Sequence, residues 1–574
     1  MNMDCNSKYE LWKAQSAMPL EYARELAEMD EKAVAEAFSA DLAFGTAGLR
    51  GIMGAGTNRM NIFTVAQTSR AIADEINFRG PEAALRGAVV CCDCRNNSKR
   101  FAAIAAGILA KNGVRVRLFD DMRPTPELSF AVREYGCEFG VNITASHNPS
   151  EYNGYKVYGA NGAQINDAEA DAISARRSKI DLFGQFDSED EFSEEALKAL
   201  GVQFIGAETD EAFLARVISC AVTENAAEIV PDMKIVYTPF HGTGRLLVPE
   251  VLRRRGFKNI VCVEEQMIPD GNFPTVASPN PEDIAGFELA IGYAKKVGSD
   301  LIIGTDPDAD RIGLIVRRAD GEYVTITGNQ LGVLLADYIF TAGAAAGTLP
   351  EKPAVITTIV STMMAKTVCE ANGGIFGEAF TGFRFISEKM DELEAIGSTA
   401  VLSFEESYGY LSGSHARDKD AVVAAMLVAE LAAFHAAKGK TLAEALDGLM
   451  EKYGWYRERT LNIKMPGLDG LEKMAALMAG LREKAPESFG GTKVEAVCDY
   501  RPGIRKWACG REESLSLKNS NVLAFELADG CKVIIRPSGT ELKVKVYVLT
   551  KAESKAAAEE LLARYSAAAE SLAK

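Results

Sequence analysis

The stretch Phe139-Gly140-Val141-Asn142-Ile143-Thr144-Ala145-Ser146-His147-Asn148-Pro149 decides how this chain is read. Its first five residues are a mostly apolar run, short enough for one buried strand; polar and turn-forming residues follow. A serine placed where such a strand gives way to a loop lies at the edge where α/β sheets present groups to ligands. Working outward, Val89 to Cys92 and Val114 to Phe119 read as further strands. Ser98 to Asn112 between them repeats its apolar residues every three or four positions, as a helix does. Strands alternating with helices predict an α/β sheet with crossover connections. The alternation restarts near Ile235-Val236-Tyr237 and runs through Ile260 to Val263 to the strand Leu301-Ile302-Ile303. It restarts again with Ala354 to Thr358 and Val401-Leu402, followed by a long helix from about Lys419 to Lys438.

The ends differ. Residues 8–38 read as two helices ahead of the Gly-rich segment Phe44 to Gly56. Toward the other end, Thr460 to Leu481 reads as strand then helix, and Val522 to Leu527 pairs antiparallel with Lys532 to Ile535 across Asp529-Gly530. Lys543 to Leu549 is one more strand, and Ala552 to Leu572 an amphipathic helix, an α+β pattern. A chain of 574 residues outgrows one core, so four domains are expected: 1–205, 206–325 and 326–455, each α/β, and 456–574. The acidic stretch Asp187 to Glu195 and the Gly328 region read as boundary zones.

Hydrophobic residues make up 47% of the chain and charged residues 25%, the balance of a soluble globular protein. A net charge of −17 argues against nucleic acid or an anionic membrane as partner, because both require a basic face. No apolar run approaches the ~20 residues of a membrane span. Met-Asn-Met-Asp-Cys-Asn-Ser-Lys at the start has no apolar core, so no signal peptide is read, and a cytoplasmic location is expected. The eleven cysteines are scattered without metal-ligand spacing. Cys91, Cys92 and Cys94 close an apolar run and read as small buried thiols in a reducing compartment.

Asp306-Pro307-Asp308-Ala309-Asp310-Arg311 directly follows a buried strand and offers three carboxylates within five residues, a donor set for a hard divalent cation. It is not an EF-hand loop, for the sixth position is Arg311 and the twelfth Arg317 where glycine and glutamate are required. Glu405 and Ser407 are spaced to meet two hydroxyl groups from one edge. Arg536-Pro537-Ser538-Gly539-Thr540 joins a fixed cation to two hydroxyls and a residue that admits close backbone approach, a clamp for phosphate. A phosphorylated ligand needs a basic site within this acidic protein, and Arg50, Lys156, Arg311, Arg384, Lys419 and Arg536 all lie in or beside these segments.

Ser146-His147-Asn148-Pro149 with Asn153-Gly154-Tyr155-Lys156 resembles the phosphoserine loop of the α-D-phosphohexomutases, the phosphoglucomutase/phosphomannomutase family. Four more segments match that family in order: Phe44-Gly45-Thr46-Ala47-Gly48-Leu49-Arg50-Gly51, the Asp306 to Arg311 loop, Glu405-Glu406-Ser407-Tyr408-Gly409, and Arg536 to Thr540. The resemblance thus spans nearly the whole chain. It implies three consecutive α/β domains of similar topology with mixed sheets, a C-terminal α+β domain, and an active site in the central cleft. It implies Mg²⁺ held by Asp306, Asp308, Asp310 and phosphorylated Ser146, and glucose 1,6-bisphosphate as activator and intermediate. His147 and Lys156 are placed at the reaction centre, with Lys156 favoured as base and Arg50 and Arg311 stabilising the transferred phosphate. Thr381, Gly382 and Arg384 form a second sugar-phosphate loop beside Glu405, Ser407 and Lys419, while Arg536, Ser538, Gly539 and Thr540 hold the other phosphate.

Glu405-Glu406-Ser407-Tyr408-Gly409 resembles the glucose-type loop of the family more than the Gly-Glu-Met-Ser-Gly-His form. The expected reaction is therefore interconversion of α-D-glucose 1-phosphate and glucose 6-phosphate by a monomer or homodimer. Alternatives with the same chemistry are a phosphomannomutase or a phosphopentomutase, and a glucose-1,6-bisphosphate synthase is a further one within the superfamily. A metal-dependent sugar phosphatase differs in class, and so does a non-catalytic sensor; the second phosphate clamp argues against the first and the intact serine and aspartates against the second. No Walker A pattern is present, which argues against an ATP-dependent kinase.

Overall fold

A computed structural model of the chain describes residues 4–15, 18–465, 470–538 and 542–573. Strand Ala88–Cys92 shows how the first core is made. Its alternate residues Ala88, Val90 and Cys92 pack with Phe101, Ile104 and Ile108 of helix Ser98–Lys111. Val89 and Cys91 point the other way, onto Leu128, Ala131 and Val132 of helix Thr125–Glu134. A strand covered by helices on both faces has no polar side, which is why it reads as an unbroken apolar run.

The six strands of this sheet lie in the spatial order Leu49–Ile52, Tyr152–Gly159, Phe139–Ile143, Ala88–Cys92, Val116–Phe119, Gln203–Ile205. The last four are mutually parallel, and the first two run against their neighbours. The second sheet repeats the plan with Tyr323–Ile326, Ile312–Arg317, Leu301–Thr305, Lys234–Thr238 and Asn259–Cys262. A third has Ile375–Ala379, Pro353–Thr358, Thr399–Glu405 and Gly409–Leu411.

One feature recurs in all three. A parallel strand ends, turns in a tight loop, and returns antiparallel beside itself: Phe139–Ile143 into Tyr152–Gly159, Leu301–Thr305 into Ile312–Arg317, Thr399–Glu405 into Gly409–Leu411. Each of these loops holds a non-glycine residue in the left-handed region, Ser146 at φ 53°, Ala309 at φ 51° and Tyr408 at φ 67°. Such backbone costs about 1–3 kcal/mol apiece and persists where the surroundings over-determine it.

The fourth unit is an eight-stranded antiparallel sheet. Helices Gly470–Glu483 and Lys555–Glu570 cover one face, where Met474, Met478, Leu562 and Tyr565 meet Val533, Ile535, Val544, Val546 and Val548. The intervening residues Ile534, Tyr547 and Leu549 point to the opposite face, onto Ile359, Val360 and Phe380 of the third unit. That contact sets the fourth sheet against the third.

At the other end the structure corrects one expectation. Residues 8–38 belong to three helices, not two: Cys5–Lys13, Leu20–Glu28 and Glu31–Phe38. Asp30 separates the last two by capping the third, its carboxylate accepting from the Ala33 N–H at 2.7 Å. The acidic stretch around Glu189–Phe192 docks on the first unit, with Phe192 and Leu197 in the same core as Phe101. Among the described residues no helix is long and apolar enough to cross a membrane.

Candidate active site

The three loops meet. Ser146, 4% exposed, donates from its Oγ to Asp306 Oδ2 at 3.1 Å and lies 3.1 Å from His147 Nδ1. One loop of the first unit thereby touches one of the second. Arg50, on the strand paired with Tyr152–Gly159, reaches Asn148 Oδ1 at 3.3 Å. Burial, together with the nearby Arg311 and Arg50 charges, pushes the His147 imidazole well below its usual 6.5, so it is neutral at pH 7 with a free lone pair.

On strand Tyr152–Gly159 the side chains alternate. Tyr155 and Val157 enter the core, and Lys156 between them emerges toward the second unit. Its Nζ donates to Asp308 Oδ2 at 2.7 Å and lies 3.5 Å from Asp310 Oδ2. Burial opposes the Lys156 charge, but Asp308 and Asp310 outweigh it and raise its pKa. Lys419 of the third unit stands 3.2 Å from Asp310 Oδ2 and 2.9 Å from Asp418 Oδ1. It can do so because of Gly409, where a Cβ would come within 2.1 Å of Lys419 Cδ.

Asp306, Asp308 and Asp310 are buried and offer carboxylate oxygens within 4.8 Å of one another. Burial raises all three; mutual repulsion adds to it at Asp306 and Asp310, while the Lys156 ammonium holds Asp308 below the usual range. Among the described residues, Asp308 Oδ1 and Asp310 Oδ1 have no hydrogen-bond partner despite full burial. Orphaned, oxygen-only acceptors at the mouth of a buried strand fit a hard cation better than they fit a structural role.

A platform underlies this loop. Gly242 packs so tightly on it that a Cβ would lie 2.5 Å from Pro307 Cα, and the Thr243 N–H donates to Pro307 O at 2.8 Å. His241 is structural, fixed by Ile268 O at 2.7 Å and Thr275 Oγ1 at 2.8 Å.

Elsewhere the expected residues separate into two groups. Glu405 is buried, and its charge acts on both Arg311 and Lys419; Ser407 is half-buried in the same turn. Arg311 also contacts Glu282 at 3.2 Å. Arg536 donates to Thr381 Oγ1, joining the fourth unit to the third beside Gly382. Arg384 instead pairs with Asp167 of the first unit at 3.1 Å and lies over the Phe385 ring. Ser538 ends the strand Lys532–Pro537, its N–H donating to Lys543 O; Gly539 and Thr540 lie outside the described residues.

Three residues escaped sequence reading. Arg95, 3% exposed, donates to the carbonyls of Ser146 (2.6 Å), Pro149 (2.8 Å), Tyr152 (3.0 Å) and Asn148, so one guanidinium holds the whole serine loop. It pairs with Asp93 at 3.3 Å and lies over Phe273 of the second unit. Thr125 donates to Asp308 Oδ2 at 2.8 Å from the start of its helix. Lys545 sits opposite Arg536 in the sheet and adds a cation there.

Comparison with known proteins accounts for this arrangement. The family domains described as phosphoglucomutase/phosphomannomutase alpha/beta/alpha domains I, II and III match residues 41–183, 211–321 and 327–453 in order. The chain belongs to the phosphoglucomutase/phosphomannomutase family. A phosphoglucomutase of Staphylococcus haemolyticus (strain JCSC1435) is 35% identical over 515 residues, covering 89% of this chain and 91% of that protein. One of Staphylococcus aureus (strain MSSA476) is 33% identical over 554 residues, 94% and 95% of the two chains. Among solved structures, the open form of pp63/parafusin from Paramecium superposes with a TM-score of 0.66 at 17% identity, covering 93% and 95% of the two chains. A family protein from Burkholderia thailandensis superposes at 0.65 with 19% identity, covering 92% and 97%. These two likenesses show the shared fold, three α/β/α family domains followed by a β-rich fourth.

Proposed function

We propose that the chain is a phosphoglucomutase, an isomerase that moves phosphate between positions 1 and 6 of glucose through phosphorylated Ser146. The observation that carries this reading is the Ser146 Oγ, set at 3.1 Å between an imidazole nitrogen and a carboxylate of the acidic loop. Relatives named phosphoglucomutase at 33–35% identity over most of the chain support the choice of sugar.

Asp306, Asp308 and Asp310 would hold the cation, with Mg²⁺ the expected ion because open positions on it suit phosphate. When bound, such a cation withdraws charge from a phosphate on the adjacent serine. The rest falls to the chain. Arg50 and Arg311 neutralise transferring oxygens, and Arg536 with Lys545 receives the phosphate that is not moving. His147 holds the Ser146 proton, accepting it as that hydroxyl attacks and returning it as the serine leaves, while an attacking sugar hydroxyl gives its proton to solvent. Lys156, expected as the base, is held as a cation between two carboxylates in this geometry, which suits charge neutralisation rather than proton uptake. A phosphosugar must satisfy both ends of the cleft before the loop, and the Arg536 clamp makes a simple hydrolase the poorer reading.

A coupled assay tests the proposal: α-glucose 1-phosphate with Mg²⁺ and trace glucose 1,6-bisphosphate, beside mannose 1-phosphate and ribose 1-phosphate, with inorganic phosphate followed. Glucose 6-phosphate should form fastest and without phosphate release. Faster turnover of another sugar would change the substrate and keep the mechanism; release of phosphate alone would replace the mutase by a phosphatase.

Two further outcomes follow from the geometry. Arg95→Lys keeps the charge facing Asp93 but cannot span four carbonyls, so Ser146 should drift. Misplacement near 1 Å costs roughly 100-fold in rate, and steady-state kinetics should show that loss in kcat with KM little changed. Because His147 titrates below 6.5, the acid limb of the kcat profile should fall below that pH, and His147→Gln should remove it.

A further inference from the structure

A cavity of about 610 Å³ opens where helix Thr125–Glu134, helix Ala207–Ile218 and the segment Ser412–His415 converge. Cys220 lines it, half-buried. Its sulfur lies 3.9 Å from His415 Nδ1, and His415 Nε2 is 2.8 Å from Asp420 Oδ2. The thiol also contacts the carbonyls of Arg216 and Ser412, each at 3.4 Å. Asp420 therefore fixes the ring so that its other nitrogen faces sulfur, the order of groups that activates a thiol. Burial works against charge on His415, but the Asp420 hydrogen bond outweighs it and, with the Cys220 contact, holds its pKa up at about 9. Glu127, buried beside Asp210 and Arg123, lies near enough to Asp420 to feel its charge. Arg133, Arg216 and Glu134 are the other charged groups lining the cavity, so the wall around the sulfur is cationic on balance.

We propose that Cys220 is a nucleophilic modification site that takes small anionic disulfides by thiol–disulfide exchange. Cys220 reacts as the thiolate, its proton released to solvent and its charge held against the protonated His415 ring. The Cys220 sulfur then attacks one sulfur of the disulfide, forming a mixed disulfide and breaking the original S–S bond. The thiolate released takes up a proton from solvent. Cys220 sulfur is oxidised, the departing half is reduced, and no other reactant is needed.

An adduct here reaches the active site through few bonds. A group on Cys220 displaces His415, which holds one oxygen of Asp420. The other oxygen caps helix Ala421–Ala436 through the N–H groups of Val422 and Val423. The preceding residue is Lys419, which stands against Asp310. Resting on the mutase reading, modification should lower turnover; the labelling itself is independent of that reading.

The test uses glutathione disulfide on the full-length protein at pH 7, with peptide mapping of all cysteines. Exposed Cys509 is the internal reference. Cys220 should be modified at least tenfold faster than Cys509, mutase activity should fall in step, and dithiothreitol should restore both. His415→Asn should slow Cys220 at least tenfold without changing Cys509. Arg216→Glu should slow reaction with glutathione disulfide but not with neutral hydroxyethyl disulfide, which keeps the test open if the His415 variant folds poorly. Cys220→Ser should remain active and resist inhibition. Reaction of Cys220 no faster than Cys509, or no effect from both the His415 and Arg216 changes, would overturn the site; modification without loss of turnover would overturn its link to catalysis.

Discussion

Ser146→Ala is expected to lose at least about 10⁴-fold in kcat, because nothing nearby can replace a covalent nucleophile and the residues that act with it are not additive. The hydroxyl meets both Asp306 and His147. Its loss leaves the fold alone, since the loop is held through carbonyls by Arg95 and through the bond from the Ser146 N–H to Thr144 Oγ1 at 2.8 Å. Melting temperature should change little while turnover disappears. Steady-state assay beside thermal denaturation separates the two. Turnover within tenfold of the parent would remove Ser146 from the mechanism.

Asp308→Asn should have the second-largest effect and should show it in two ways. Loss of groups that merely support metal ligands costs about 10–100-fold, so loss of a ligand should exceed ~100-fold in activity. The same carboxylate accepts from Lys156 at 2.7 Å and Thr125 at 2.8 Å. Removing one partner of a buried ion pair costs about 3–5 kcal/mol, and Asp310 at 3.5 Å from Lys156 recovers part of that. Calorimetric titration with Mg²⁺ should show weakened binding and denaturation a lower stability. Unchanged metal affinity would place the cation elsewhere.

How much was legible in the sequence depended on where each side chain points. Parallel strands such as Phe139–Ile143 lie between two layers of helix, so apolar runs announce them. Their return partners do not. Tyr152–Gly159 is buried yet carries Lys156, because Tyr155 and Val157 on one face serve the core while Lys156 on the other reaches the cleft. Loops whose chemistry is written in adjacent residues, such as Asp306 to Asp310, could be read directly. Arg95 could not, since it works on backbone carbonyls some fifty residues later that any sequence would supply. Nor could the facing of Lys156 and Asp308, 152 residues apart, which depends on two sheets sharing one hairpin plan. The histidines divided on the same ground: His147 gained a role from its neighbour Ser146, His241 proved a backbone anchor, and His415 belongs with distant Cys220.

The most direct measurement is transfer from the enzyme itself. Protein labelled with ³²P on Ser146 would be mixed with excess unlabelled glucose 6-phosphate in a single turnover and the label followed by chromatography. The mutase mechanism predicts that label leaves the protein at a rate no slower than kcat and appears in glucose 1,6-bisphosphate and glucose 1-phosphate. Label retained on the protein through many turnovers, or released as inorganic phosphate, would contradict it.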